Sequence, residues 1–191
     1  MPSVYKPLKR YFYATFFTLA LSLVQYSTDN AVFLLLTNII FIVFYLVQIQ
    51  ALFAMRPISK RFKSAFRFFI ISLVGIILSI IVIGFSIYSQ NIYLATVSLL
   101  AMVVFAVFSI VANYQFAWGL DDLITEHNYN YPKGKIKLIF WLSIISSLFV
   151  SSIIQAGAFI PALVIGTACS IYTLWLLYSY LQAVEKAELE L

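Results

Sequence analysis

Charge is what this sequence has least of. Only 10% of its 191 residues are charged, and none lies within six apolar stretches at roughly 11–27, 30–55, 68–88, 92–118, 138–156 and 160–182. Those stretches also lack the single histidine, His127. Ionisable groups in hydrocarbon are costly and mark ion paths, proton relays and catalytic centres. Their absence weighs against proton coupling, voltage sensing and acid–base chemistry inside the membrane, and removes the ligands that haem, copper or di-iron would need. No cofactor and no metal site is expected.

Other scarcities narrow the reading further. The single cysteine, Cys169, admits no intramolecular disulfide and no thiolate cluster, and reads as a small packing residue. Five prolines are present, but none interrupts the interior of a stretch; Pro161 opens the sixth, where its missing N–H costs nothing. Broken helices of the transporter kind are therefore not indicated. There is no phosphate-binding glycine loop, no nucleophile elbow and no HExxH or CxxC. A serine nucleophile would need a neighbouring base, and the stretches supply none. The expectation is a non-enzyme.

What is present is apolar bulk, 63% of the chain. A soluble domain of this size cannot hide so much apolar surface. Each stretch approaches or exceeds the ~20 residues that a helix needs to cross ~30 Å of hydrocarbon. The fold class is thus all-α and polytopic: one domain of six transmembrane helices. The first stretch also resembles a signal peptide, but its apolar run continues past Ser22, so it reads as a retained helix.

Charge placement orients the helices. Lys6, Lys9 and Arg10 precede the first stretch; Arg56, Lys60, Arg61, Lys63 and Arg67 separate the second from the third; Lys133, Lys135 and Lys137 lead into the fifth; Lys186 follows the sixth. The alternate connections carry only Asp29. Cationic loops remain on the cytoplasmic side during insertion, so both termini are expected inside. Richness in Ile, Phe, Tyr and Ser with very short external loops fits a prokaryotic plasma membrane. The helices read as three hairpins, each entered through a basic segment. The triplets beginning at Gln48, Asn113 and Tyr178 recur at equal intervals (113−48 and 178−113 are both 65), which hints at a repeated unit.

The net charge of +5 points to lipid and not to nucleic acid, because the cations are juxtamembrane and no stacking platform accompanies them. Arg56, Lys60, Arg61, Lys63 and Arg67 are the expected contacts for anionic headgroups. Ile58, Phe62 and Phe66, interleaved with them, suggest a short amphipathic helix on the inner leaflet. The acids at 121–126 and 185–190 read as helical extensions beyond the membrane whose charges are solvated; docking of a basic partner on these faces is the sharper alternative.

Small and neutral polar residues recur at helical spacing within the stretches. Ala14, Thr18 and Ser22 mark the first; Ser72, Gly75, Ser79 and Ser86 the third; Ser143, Ser147, Ser151 and Gln155 the fifth; Ala162, Gly166 and Ser170 the sixth. In lipid, helices associate where small residues permit close backbone approach. Packing is the simpler reading of these stripes. The sharper one makes the fifth stripe, facing Asn38 or Asn113, the wall of a neutral polar path. Function is expected to be that of a structural or accessory subunit acting through helix association, with a protein partner or a second copy. The alternative is a carrier or channel for a neutral or lipophilic solute.

Overall fold

The computed structural model describes residues 3–25, 31–155 and 159–190. Six α-helices account for nearly all of them: α1 (Tyr5–Gln25), α2 (Ala31–Met55), α3 (Lys60–Tyr88), α4 (Ile92–Glu126), α5 (Leu138–Gln155) and α6 (Phe159–Leu189), with a 3-10 turn at Lys135–Lys137 before α5. No strand occurs among the described residues. Helix limits follow the apolar stretches closely, but at the charged end the helices run on. The 35 residues of α4 give a rod of ~52 Å, longer than hydrocarbon requires.

Among the described residues, three helices are long and apolar enough to cross a membrane: Lys60–Ser86, Ile92–Glu126 and Leu163–Leu189. Among the described residues α2 adds a shorter apolar stretch, Ile42–Met55. The apolar part of α1 begins only after Arg10, because Lys6, Lys9 and Arg10 fall within its first turns. The described residues are therefore all-helical, those of a membrane protein, with three helices of spanning character among them against the six expected from sequence.

Sequence neighbours are also spatial neighbours. α1 packs on α2, α3 on α4, and α5 on α6; α2–α3, α4–α5 and α6–α1 contacts complete a ring in chain order. The α3–α4 pair is the most intimate. Ser72, Gly75, Ser79 and Ser86 are all buried, and the Phe105 ring lies against Gly75 where a side chain would begin, with ring carbons 2.1–2.4 Å from the position of an added Cβ. Ser79 returns its hydroxyl to the Gly75 carbonyl at 2.8 Å, which satisfies it without a cross-helix partner. Phe68 stacks on Phe108 at 6.0 Å across the same pair. This small-residue stripe is spent inside the chain and offers no surface to another protein.

Turn chemistry sets the limits of α4. Asn91 caps its start, accepting from the Leu94 N–H at 3.1 Å. His127 closes its end, and the chain then turns through Asn128 (φ 53°) and Gly134 (φ 81°), a left-handed position that glycine tolerates. Segment 56–67 does not form a separate amphipathic helix. Arg56–Ile58 make a turn and α3 begins at Lys60 without a later break, because no proline or glycine interrupts the chain before Gly75 and helix propagation is favourable once nucleated. Phe62 is then drawn into the core, fully buried.

The core lies at the charged end of the molecule. Leu8, Met55, Phe62, Leu120, Leu123, Ile136, Tyr180 and Val184 are completely buried there, together with Val4, Phe116 and Tyr131 from the same cluster. The acidic tail closes the ring: Glu188 accepts from the N–H groups of Val4 at 2.7 Å and Tyr5 at 3.0 Å and from the Ser3 hydroxyl at 2.6 Å, while the Tyr5 hydroxyl donates to Glu185. A carboxylate placed on the first N–H groups of α1 satisfies orphan donors and complements the helix dipole. Glu188→Ala is expected to lower stability by about 1–2 kcal/mol, with fraying of residues 3–8 visible as faster amide exchange. Unchanged exchange in that segment would show that the clasp contributes nothing.

Candidate functional site

Two concave features carry the polar groups that the sequence singles out. The first is a groove of about 400 Å³ between α3, α4 and α5, lined by Ile76, Ala106, Ser109, Asn113, Ser143 and Leu148 among others. It exists because α4 and α5 diverge. They meet at the charged end, where Phe140 sits edge-on to Tyr114 and Trp118 at 5.6 Å, and then separate. α4 and α5 contribute its walls about equally, with Ile76 of α3 between them.

Asn113 and Ser143 share this groove, so one residue of the fifth stripe does face an amide of α4. The Ser143 hydroxyl donates to the Phe140 carbonyl at 2.8 Å. Asn113 is exposed and makes no hydrogen bond among the described residues. It stands five residues before Trp118, about 8 Å farther along the helix from the charged end. An amide placed in hydrocarbon gains from a hydrogen-bonding partner, since hydrocarbon supplies none. The side chains of Asn38, Ser147, Ser151 and Gln155 lie outside the described residues. Gly166 and Ser170 are half-buried on α6 and do not line the groove. Gln48 is paired between helices, donating to the Thr15 hydroxyl at 3.3 Å, so it is a packing amide.

The second feature is an open groove of about 650 Å³ at the turn between α2 and α3, lined by Phe53, Ala54, Arg56, Pro57, Ile58, Ser59, Lys60 and Lys63. Of the five cations expected at headgroups, three converge here. Arg61 is turned away into an ion pair with Asp122 on α4, and Arg67 is exposed beyond the groove. The guanidinium of Arg56 lies over the Phe53 ring at 4.9 Å and near that of Phe66 at 5.7 Å. No acid lines this groove.

The acids have a different part from the solvated run, or the docking face, expected of them. Asp121 is 1% exposed and takes the Gly134 N–H at 2.5 Å and the Lys137 ammonium at 2.8 Å, pinning the 127–137 loop over the end of the bundle. Tyr180 donates to the Leu120 carbonyl at 2.7 Å, and Tyr129 and Tyr131 pack edge-on against its ring. Burial pushes the Tyr129 hydroxyl up to about 12, so it stays protonated at any physiological pH. Asp122 is committed to Arg61, and Glu185 and Glu188 to the start of α1. Acids nearby in sequence read as a solvated run; their partners lie far along the chain, and no local signal announced them. His127 stacks on Tyr129 at 5.4 Å, and among the described residues no three His, Cys, Asp or Glu side chains gather as a metal site would require.

Pairing the acids internally leaves the cations in excess at the same end. Besides Arg61 and Lys137, no Lys or Arg forms an ion pair among the described residues. The site chemistry is therefore that of a cationic rim around a tightly tied core, with one polar notch lower in an apolar wall. Compared with known proteins, the chain matches no family model, no curated protein and no solved structure.

Proposed function

We propose that this chain is a six-span protein of a prokaryotic plasma membrane, its charged end cytoplasmic, acting as a non-enzymatic structural or accessory subunit. Assembly is through the α4–α5 groove. The observation that carries this reading is Asn113, an exposed amide with no hydrogen bond among the described residues, in a notch of about 400 Å³ whose other polar side chains are Ser109 and Ser143. An amide is both donor and acceptor. Two copies related by a two-fold axis that passes beside Asn113 would place it against its own equivalent and satisfy both, so a second copy of the chain is the occupant favoured. The cationic rim fits the anionic inner leaflet, at ~1 kcal/mol per cation near the surface.

The test is assembly in nanodiscs with purified protein. Asn113→Cys in a Cys169→Ala background is expected to form a disulfide-linked dimer. Asn113→Leu is expected to raise the dimer dissociation constant about 3- to 30-fold, corresponding to the ~0.6–2 kcal/mol of an interhelical hydrogen bond. A monomeric wild type with no cross-link would overturn this reading. The same groove would then favour the second one, a carrier for a lipophilic solute with one hydrogen-bonding group held between Asn113 and Ser143.

A further inference from the structure

We propose that the groove at the α2–α3 turn is a discrete site for one anionic phospholipid, with the lipid phosphate held by Arg56, Lys60 and Lys63. This rests on the reading that the charged end faces the cytoplasmic leaflet. Diffuse attraction to that leaflet needs only cations on a surface. The α2–α3 turn has more than that: a concavity of about 650 Å³, three cations lining it, and no acid to neutralise them. Arg61, from the same basic run, is withdrawn to Asp122, so convergence is a property of the fold and not of the sequence cluster.

Two further features favour a tethered phosphate over a free one. Arg56 is poised on the Phe53 and Phe66 rings, which fixes a planar donor fork suited to phosphate oxygens. Phe53, 55% exposed, forms part of the groove wall, and exposed Leu46, Val43 and Ile39 continue from it along α2 towards the opposite end of that helix. An acyl chain laid along this ridge would join hydrocarbon to the phosphate position. Lys60 also opens α3 beside Ser59, whose hydroxyl accepts from the Arg61 N–H at 3.1 Å, so the positive end of the helix dipole adds to the field in the groove.

The experiment is a titration of the purified full chain in neutral detergent with phosphatidylglycerol and with phosphatidylcholine, read as bound lipid by native mass spectrometry. The wild type is expected to hold one phosphatidylglycerol in preference to phosphatidylcholine. Arg56→Gln/Lys60→Gln/Lys63→Gln should weaken that binding about a hundredfold, whereas Lys6→Gln/Arg10→Gln/Lys133→Gln, which removes equal charge elsewhere, should weaken it less than about threefold. Phe53→Ala keeps every charge and should still weaken phosphatidylglycerol several-fold. Equal losses in the two triple variants would reduce the site to diffuse electrostatics and overturn it. Displacement of the lipid by millimolar inorganic phosphate would overturn the assignment to lipid. Orientation is read separately, by labelling Lys133→Cys (in Cys169→Ala) in intact cells and inverted vesicles. Labelling from outside would sink the leaflet reading, while a difference between the triples in detergent would still establish the site.

Discussion

Asp121→Ala is expected to destabilise the protein by about 3 kcal/mol, seen as a fall of several degrees in the thermal unfolding midpoint in detergent. Asp121 is 1% exposed and holds two partners from a segment more than ten residues away, the Gly134 N–H and the Lys137 ammonium. Truncating one member of a buried pair removes the attraction and leaves the other without compensation, which typically costs ~3–5 kcal/mol. The lower end applies because the Lys137 side chain is 29% exposed and regains water. Asp121→Asn preserves shape and an acceptor for Gly134, so it should cost about half as much. Lys137→Met should be worse than its exposure suggests, since it strands a carboxylate in the core. The double variant Asp121→Asn/Lys137→Met should then recover part of the sum, the signature of direct coupling. An Asp121→Ala protein that melts with the wild type would show that the loop is held by its tyrosines alone.

Gly75→Leu should be as damaging, for a steric reason. The Phe105 ring occupies the space a side chain at 75 would need, and the nearest atoms include Cγ, close to the root of that side chain. The ring cannot step aside by a small tip rotation, so α3 and α4 must separate. Overpacking of this kind costs ~1–3 kcal/mol, with Gly75→Ala near the lower end and Gly75→Leu near the upper. Gly84, one helical face further on, has no atom within 4 Å of an added Cβ. Gly84→Ala should therefore be neutral or stabilise by up to ~1 kcal/mol, because alanine loses less backbone freedom in a helix than glycine. Opposite signs at two glycines of one helix, read from melting midpoints, would confirm the close approach of α3 and α4. Equal and small effects at both would refute it.

Both effects combine a spacing that is local to the chain with a burial that is not. The stripe Ser72–Gly75–Ser79–Ser86 is visible as spacing alone, since i, i+3 and i+4 residues share a helix face. Its buried state follows from the structure, because a small-residue stripe looks identical whether its neighbour is the next helix, a second chain or lipid. The headgroup cluster was legible in the same partial way. Five cations in one run announced a basic turn, but their division into three that converge on a groove, one paired with Asp122 and one apart depended on where α4 lies. From sequence alone Asp121, Glu185 and Glu188 read as solvated acids, because nothing local separates a buried carboxylate from an exposed one. Their partners stand far away, as with Glu188 and Val4, 184 residues apart.

The sequence by itself determined the helices, their limits to within a few residues over most of their length, and their pairing as hairpins. Those properties arise from local causes: apolar run length, capping side chains, turn-forming Gly134 and short connections. Only the tertiary structure decided which polar groups are consumed and which remain available. Hydrogen bonds and ion pairs act over a few ångströms in space regardless of chain separation, and closure of the ring in chain order brings residues 3–10 to the end of α6. That closure commits most of the acids to internal ties, leaves the cations in excess around the rim, and exposes Asn113 where α4 and α5 part.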